Sequence, residues 1–184
     1  MPTDPTGALC KTTKSARVLA SSKTTLSADN ISITETVFSQ QNTIAIDSAS
    51  LGIGEYEFAL NGGAYQDSPV FTNVNAGIHT ISVRDKNGCG IVNKEVSVLG
   101  YYKYFSPNGD GINETWHIRG VNSTFYATAS IHIFDRSGRL LKVLDGTDKE
   151  WDGTFKSAPM PDDDYWFRVV LDDGRSFSLS LIHI

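Results

Sequence analysis

Gly77-Ile-His-Thr-Ile-Ser-Val-Arg-Asp-Lys-Asn-Gly-Cys-Gly-Ile-Val-Asn-Lys-Glu-Val-Ser-Val98 is the stretch that decides the fold. Ile81 and Val83 alternate with polar neighbours, the period of a strand with one buried face. Asp85-Lys-Asn-Gly88 follows as a turn signal, because Asn and Gly accept the left-handed backbone angles of tight turns. Ile91–Val98 is then a second strand. The same strand–turn–strand unit extends in both directions. Upstream, Ile31, Ile33 and Val37 share a face that Glu35 breaks, and Ile44 pairs with Ile46. Tyr56, Phe58 and Leu60 lead into Asn61-Gly62-Gly63, a hairpin signal. Val70–Val74 is a short apolar run. Downstream, strands are expected at Tyr101–Phe105, Thr115–Ile118, Ala127–Phe134, Arg139–Leu144, Tyr165–Leu171 and from Arg175 onward. Asp135-Arg-Ser-Gly138 and Asp172-Asp-Gly174 connect them. Short strands at this spacing predict an all-β chain: two small antiparallel β-sandwich (Ig-like) domains in tandem.

The 184 residues suffice for two such domains. Sixteen Lys and Arg stand against 21 Asp and Glu, a net charge of −5, which argues against a nucleic-acid partner. The charge is uneven: residues 1–28 carry four basic and one acidic residue, 29–100 three and eight, 101–184 nine and twelve. No run approaches the ~18 apolar residues of a membrane helix, so no membrane span is expected. Two cysteines cannot form a disulfide scaffold or a four-Cys zinc site. Cys89 pairs with Cys10, has lost its partner, or is a buried free thiol. Met1-Pro-Thr-Asp-Pro5 lacks the apolar core of a secretory signal. Asp4-Pro-Thr-Gly7 with Cys10 echoes Asp85-Lys-Asn-Gly88-Cys89. Residues 1–28 are therefore read as the remnant of a preceding module plus a linker, with the true start missing.

Four motifs stand in order in the second half: Tyr104-Phe-Ser-Pro-Asn-Gly-Asp-Gly-Ile-Asn-Glu-Thr-Trp116, Ile133-Phe-Asp-Arg-Ser-Gly-Arg-Leu-Leu-Lys142, Trp151-Asp-Gly-Thr154 and Pro161 through Tyr165-Trp-Phe167. This part resembles the gliding-motility-associated C-terminal domain, the type B sorting domain of the type IX secretion system of Bacteroidota. The resemblance implies export across the outer membrane to the surface or the medium. It also implies as partners the translocon and a PorP/SprF-like outer-membrane protein. Its motif residues here are Pro107, Asn108, Gly109, Asp110, Gly111, Asn113, Trp116, Phe134, Asp135, Gly138, Trp151, Asp152, Gly153, Tyr165 and Trp166. Residues 29–99 resemble the Ig-like modules that precede this domain in adhesins, with surface glycans or other cells as partners. Residues 100–178 are the expected sorting domain. The family usually closes on a short basic end, whereas Leu179-Ser-Leu-Ile-His-Ile184 is what a transposase adapter of sequencing libraries encodes in one frame. Residues 179–184 are accordingly read as adapter read-through.

No catalytic or cofactor-binding set emerges, and the fragment is not expected to be an enzyme. Asn108–Glu114 invites a calcium reading, but a calcium loop that places Gly111 at its sixth position would need a carboxylate where His117 stands. The glycines of that loop fit a simple turn. Asp162–Asp164 reads as a solvated loop and Asp152 as a turn residue bonded to its own backbone. Tyr165 and Phe167 point to one face and Trp166 to the other. Trp116, Phe134, Trp151 and Trp166 are anchors, either in the core or at a docking face. The alternative function is a carbohydrate- or calcium-binding module of a secreted enzyme.

Overall fold

The computed structural model describes residues 12–15, 24–35, 41–88, 90–145 and 150–184. Cys10, Cys89, Val37 and the Asp4–Gly7 echo lie outside the described residues.

The first half holds six strands: β1 (Ile31–Thr34), β2 (Asn42–Ile46), β3 (Tyr56–Leu60), β4 (Val70–Val74), β5 (Gly77–Asp85) and β6 (Ile91–Val98). They form two three-stranded sheets, ordered β1-β2-β4 and β3-β5-β6. The quoted hairpin forms as its alternation demands. Ile81 pairs with Lys94 and Val83 with Val92, and Ile81 and Val83 are fully buried. They join Phe58, Ile44, Ile46, Leu51, Val74, Val96 and Val98 in one core. Asn61 and Gly62 take φ of 52° and 71°, as the hairpin signal requires. The returning arm makes only one bridge, Gln66 to Phe58, before β4 crosses to pair with β2 in the other sheet.

The second half holds β7 (Gly100–Tyr101), β8 (Tyr104–Phe105), β9 (Ile118–Arg119), β10 (Ser130–Phe134), β11 (Leu140–Leu144), β12 (Thr154–Phe155), β13 (Ala158–Pro159), β14 (Asp163–Val170) and β15 (Ser176–His183). A five-stranded sheet runs β11-β10-β14-β15-β8. Its buried face presents Ile131, Ile133, Tyr165, Phe167, Val169 and Leu181, each 1% exposed or less. Trp116 and Trp151 face this surface. They exchange backbone hydrogen bonds of 2.8 Å in both directions, and Trp116 lies 4.6 Å from the Phe167 ring. Each aromatic polar tip is satisfied: Trp116 Nε1 donates to Tyr102 O, Trp151 Nε1 to Thr154 O and Tyr165 OH to Pro161 O.

The chain is all-β with two sheet-rich regions in tandem, but several expectations need correction. Pairing is not purely antiparallel, because β8 runs parallel to the end of β15, Ile182 opposite Tyr104. Tyr101–Phe105 is not one strand: it breaks at Tyr102-Lys103, and its two halves join different sheets. Thr115–Ile118 contributes only the Trp116 bridge and Ile118 of β9. Ala127–Ala129 turns instead of extending, with Tyr126 at φ 57° and the Ala129 amide bonded to Tyr126 O. Asp163 and Asp164 open β14 and do not lie in a loop. Residues 179–184 complete β15 or follow it directly, and Leu181 and His183 are buried.

Candidate functional site

The Ser106–Glu114 loop leaves directly from β8. Gly109 and Gly111 take φ of 82° and 83°, where a side chain would be strained. Their amides converge on one carboxylate: Gly109 N–H donates to Glu114 Oε2 at 3.0 Å and Gly111 N–H to Oε1 at 2.8 Å. Asn108 Oδ1 accepts from Asp110 N, and Asp110 Oδ1 accepts from Ile112 N at 2.7 Å. Ser106 N–H donates to Asn113 O and closes the base. Acidic oxygens that a cation would need thus already accept hydrogen bonds from the loop amides. The hydrophobic Ile112 is left 66% exposed.

The Trp151-Asp-Gly153 turn packs against the same region. Asp152 Oδ1 accepts from the Thr154 amide at 3.0 Å and its hydroxyl at 2.8 Å. Burial raises the Asp152 pKa, but these bonds outweigh it and hold the carboxyl below its ordinary value. A Cβ on Gly153 would lie 3.0 Å from His183 Nε2 and 3.2 Å from Pro107 Cγ, so only glycine fits without displacement. His183 stacks on Phe105 at 4.8 Å.

The Ile133–Lys142 motif builds the β10–β11 hairpin. Asp135 Oδ1 accepts from the Ser137 amide and hydroxyl and from the Arg139 amide, while Oδ2 takes Arg139 Nε. The Ser137 hydroxyl, then the Arg139 amide, hold the Asp135 carboxyl below its ordinary value. Gly138 sits at φ 80°. Arg136 reaches Asp163 at the start of β14.

Register brings the four motifs to one end of the five-stranded sheet. Phe134 is opposite Trp166, Asp163 opposite His183, and His183 opposite Phe105. Of the four anchors, Trp116 and Trp151 are core, Phe134 is half-buried, and Trp166 is 51% exposed. Trp166 is therefore no core residue; Tyr165 and Phe167 share the opposite face, as parity predicts, and packing makes that face the inner one. Tyr104 and Ile182 are also exposed at this end. Glu114 is absent from the motif residues expected from the sequence, although two glycines three and five residues before a carboxylate are a readable signal. Glu35 breaks a strand face in the sequence, and in the fold its side chain reaches Leu99 and Arg175.

Residues 99–182 match the model of the CHU_C type IX secretion signal domain. None of the curated proteins matches the chain. Among solved structures, dimeric latent PorU from Porphyromonas gingivalis aligns at 18% identity and TM-score 0.34, over 84% of this chain and 20% of that one. The BSP domain of a biofilm-associated protein aligns at 8% identity and TM-score 0.31, over 84% of this chain and 29% of that one. The Tp47 lipoprotein of Treponema pallidum aligns at 10% identity and TM-score 0.27, over 84% and 50%. The chain thus spans a fifth of the first of these. The described residues include no helix long and apolar enough to cross a membrane. The match over 99–182, on the residues that carry the four motifs, shows that the chain bears a non-catalytic C-terminal sorting domain of the type IX secretion system, which marks a secreted or cell-surface protein exported across the outer membrane by that system.

Proposed function

We propose that the sorting domain is of type B and docks on a PorP/SprF-like outer-membrane protein through the motif end of its sheet. The observation that supports this is the convergence of four separate motifs on that end, with Trp166, Ile112, Tyr104 and Ile182 exposed there. Exposed aromatic and aliphatic side chains held by rigid turns suit a recognition surface. The self-closed Asn108–Glu114 loop and the Asp135 turn hold that surface in one shape. The edge strand β11 offers backbone groups to an extended segment of the partner.

The test is export of the full chain fused to a periplasmic reporter in a bacterium with this system. Ile112→Ser with Trp166→Ser should leave the circular dichroism spectrum unchanged and strand the reporter in the periplasm. Export at the unsubstituted level would remove this surface from recognition.

On the same reading, residues 29–99 are an Ig-like adhesive module for surface glycans or other cells. Its two three-stranded sheets around one core favour that architecture. Retention of the chain on immobilised polysaccharides tests it, and passage through all of them unretained counts against it. The limits 1–28, 29–99 and 100–178 belong to this reading.

A further inference from the structure

The two bodies meet with no linker between them. Val98, in the first core, is fully buried, and the next residue, Leu99, is buried in the second. Their backbones approach closely. A Cβ on Gly120 would lie 2.6 Å from Val98 O and 2.7 Å from Ser97 Oγ, and one on Gly100 would lie 2.5 Å from the Ala76 Cβ. The Ser97 hydroxyl donates to Gly120 O at 2.6 Å in buried surroundings.

Glu35, just past β1, sits at this seam with its side chain 12% exposed. Its Oε1 accepts the Leu99 amide at 2.8 Å, and its Oε2 accepts Arg175 Nη1 at 3.1 Å. Arg175 is itself held by Asp173 at 2.8 Å and by the Tyr126 hydroxyl at 2.7 Å. A cavity of about 270 Å³ opens beside them, walled in part by Leu99, Ile118, Leu171 and Phe177. A carboxylate among apolar groups is unfavourable unless its charge and lone pairs are met. Here Leu99 and Arg175, both across the seam, meet them.

We propose that Glu35 is an inter-body clamp, and that the preceding β-body is a fixed intramolecular partner of the sorting domain instead of a swinging spacer. The sorting domain's receiving surface is the Leu99 amide, the Arg175 guanidinium and the Gly120 backbone. The partner presents an acidic residue after its first strand and a small hydroxyl residue near the end of its last. This end is opposite the motif end, so the clamp leaves the motif surface free. The proposal stands independently of what docks there.

The test uses the full chain by nuclear magnetic resonance. In the unsubstituted chain, residual dipolar couplings of both bodies should fit one alignment tensor, and two tensors overturn the fixed arrangement. In Glu35→Ala, exchange of the Leu99 amide should accelerate by roughly tenfold or more, since a charged acceptor is lost. Glu35→Gln retains a carbonyl acceptor, so Leu99 should stay protected. Gly120→Ala should force the bodies apart and split the common tensor. Unchanged Leu99 exchange in Glu35→Ala overturns the clamp. Should Glu35→Ala fail to fold, Arg175→Met replaces it, and a common tensor unchanged in that variant and in Gly120→Ala also overturns the proposal.

Discussion

Within the motif Tyr165-Trp166-Phe167, parity alone separates two roles. The outer ring, Trp166, is half-exposed, while its neighbours are sealed in the core beside Trp151. Parity shows that the rings oppose one another, but only packing shows which face is inside. Trp151 is fully buried, tilts edge-on to Tyr165 at 5.2 Å, and donates Nε1 to Thr154 O. Trp151→Ala should therefore cost about 3–5 kcal/mol, and Trp166→Ala about 1 kcal/mol or less. Urea denaturation midpoints compare the two directly. A second residue-scale expectation concerns His79. The Thr80 amide donates to Asn61 Oδ1 at 3.0 Å, which fixes the amide flip and aims Asn61 Nδ2 at His79 Nδ1, 2.8 Å away. His79 Nδ1 must accept, so Nε2 carries the proton and donates to Asn75 O at 2.7 Å. Nitrogen-15 shifts at neutral pH should report the Nε2–H tautomer. The opposite tautomer would mean that Asn61 is flipped.

At the scale of elements, turns were legible and strand ends were not. Asp135-Arg-Ser-Gly138 reads as a connector because Asp bonds to amides ahead of it and Gly takes positive φ, both local effects. Ala127–Ala129 has strand-like composition, but the Asn122 side chain caps Thr124 and Phe125 and bends the chain first. The parallel β8–β15 pair is a contact of two residues between distant stretches, with no local signal. The Asp135 turn carries a pH prediction. Its carboxyl titrates below the ordinary 3.8 in the folded chain. A lowered carboxylate contributes stability that is fully present above the unfolded value and is lost as pH falls through the folded one. Amide exchange at Ser137 and Arg139 should speed up as pH falls below about 4, beyond the intrinsic pH dependence of exchange. Asp135→Asn should flatten that extra response. The end of β15 carries another. Leu181 is fully buried, and His183 covers Phe105. Leu181→Ala should destabilise the chain by about 2–5 kcal/mol by thermal melt, whereas the outward Ser180→Ala should cost a small fraction of that.

Across the whole molecule, the all-β class and the tandem arrangement were legible from alternation and turn spacing, because both are set by local period. How the two bodies meet was not. Glu35 counted against its strand in the sequence, since a carboxylate on an apolar face violates the pattern. Its partners, Leu99 and Arg175, lie far along the chain, and no local rule connects them. The seam has a consequence for stability that the placement of tryptophan makes measurable. Trp116, Trp151 and Trp166 all lie in the second half, so tryptophan fluorescence reports only the unfolding of the sorting domain. Ile81 is fully buried in the first core, on the far side of the seam. Ile81→Ala should remove about 2–5 kcal/mol from that core. If the clamp joins the bodies into one cooperative unit, the loss is shared, and the fluorescence midpoint should fall together with the circular dichroism midpoint, by roughly 4–20 °C. Combining Ile81→Ala with Glu35→Ala should release the coupling. The fluorescence transition should then move back above the dichroism transition of the damaged first body. A fluorescence midpoint that Ile81→Ala leaves in place would show two bodies that unfold separately despite their shared seam.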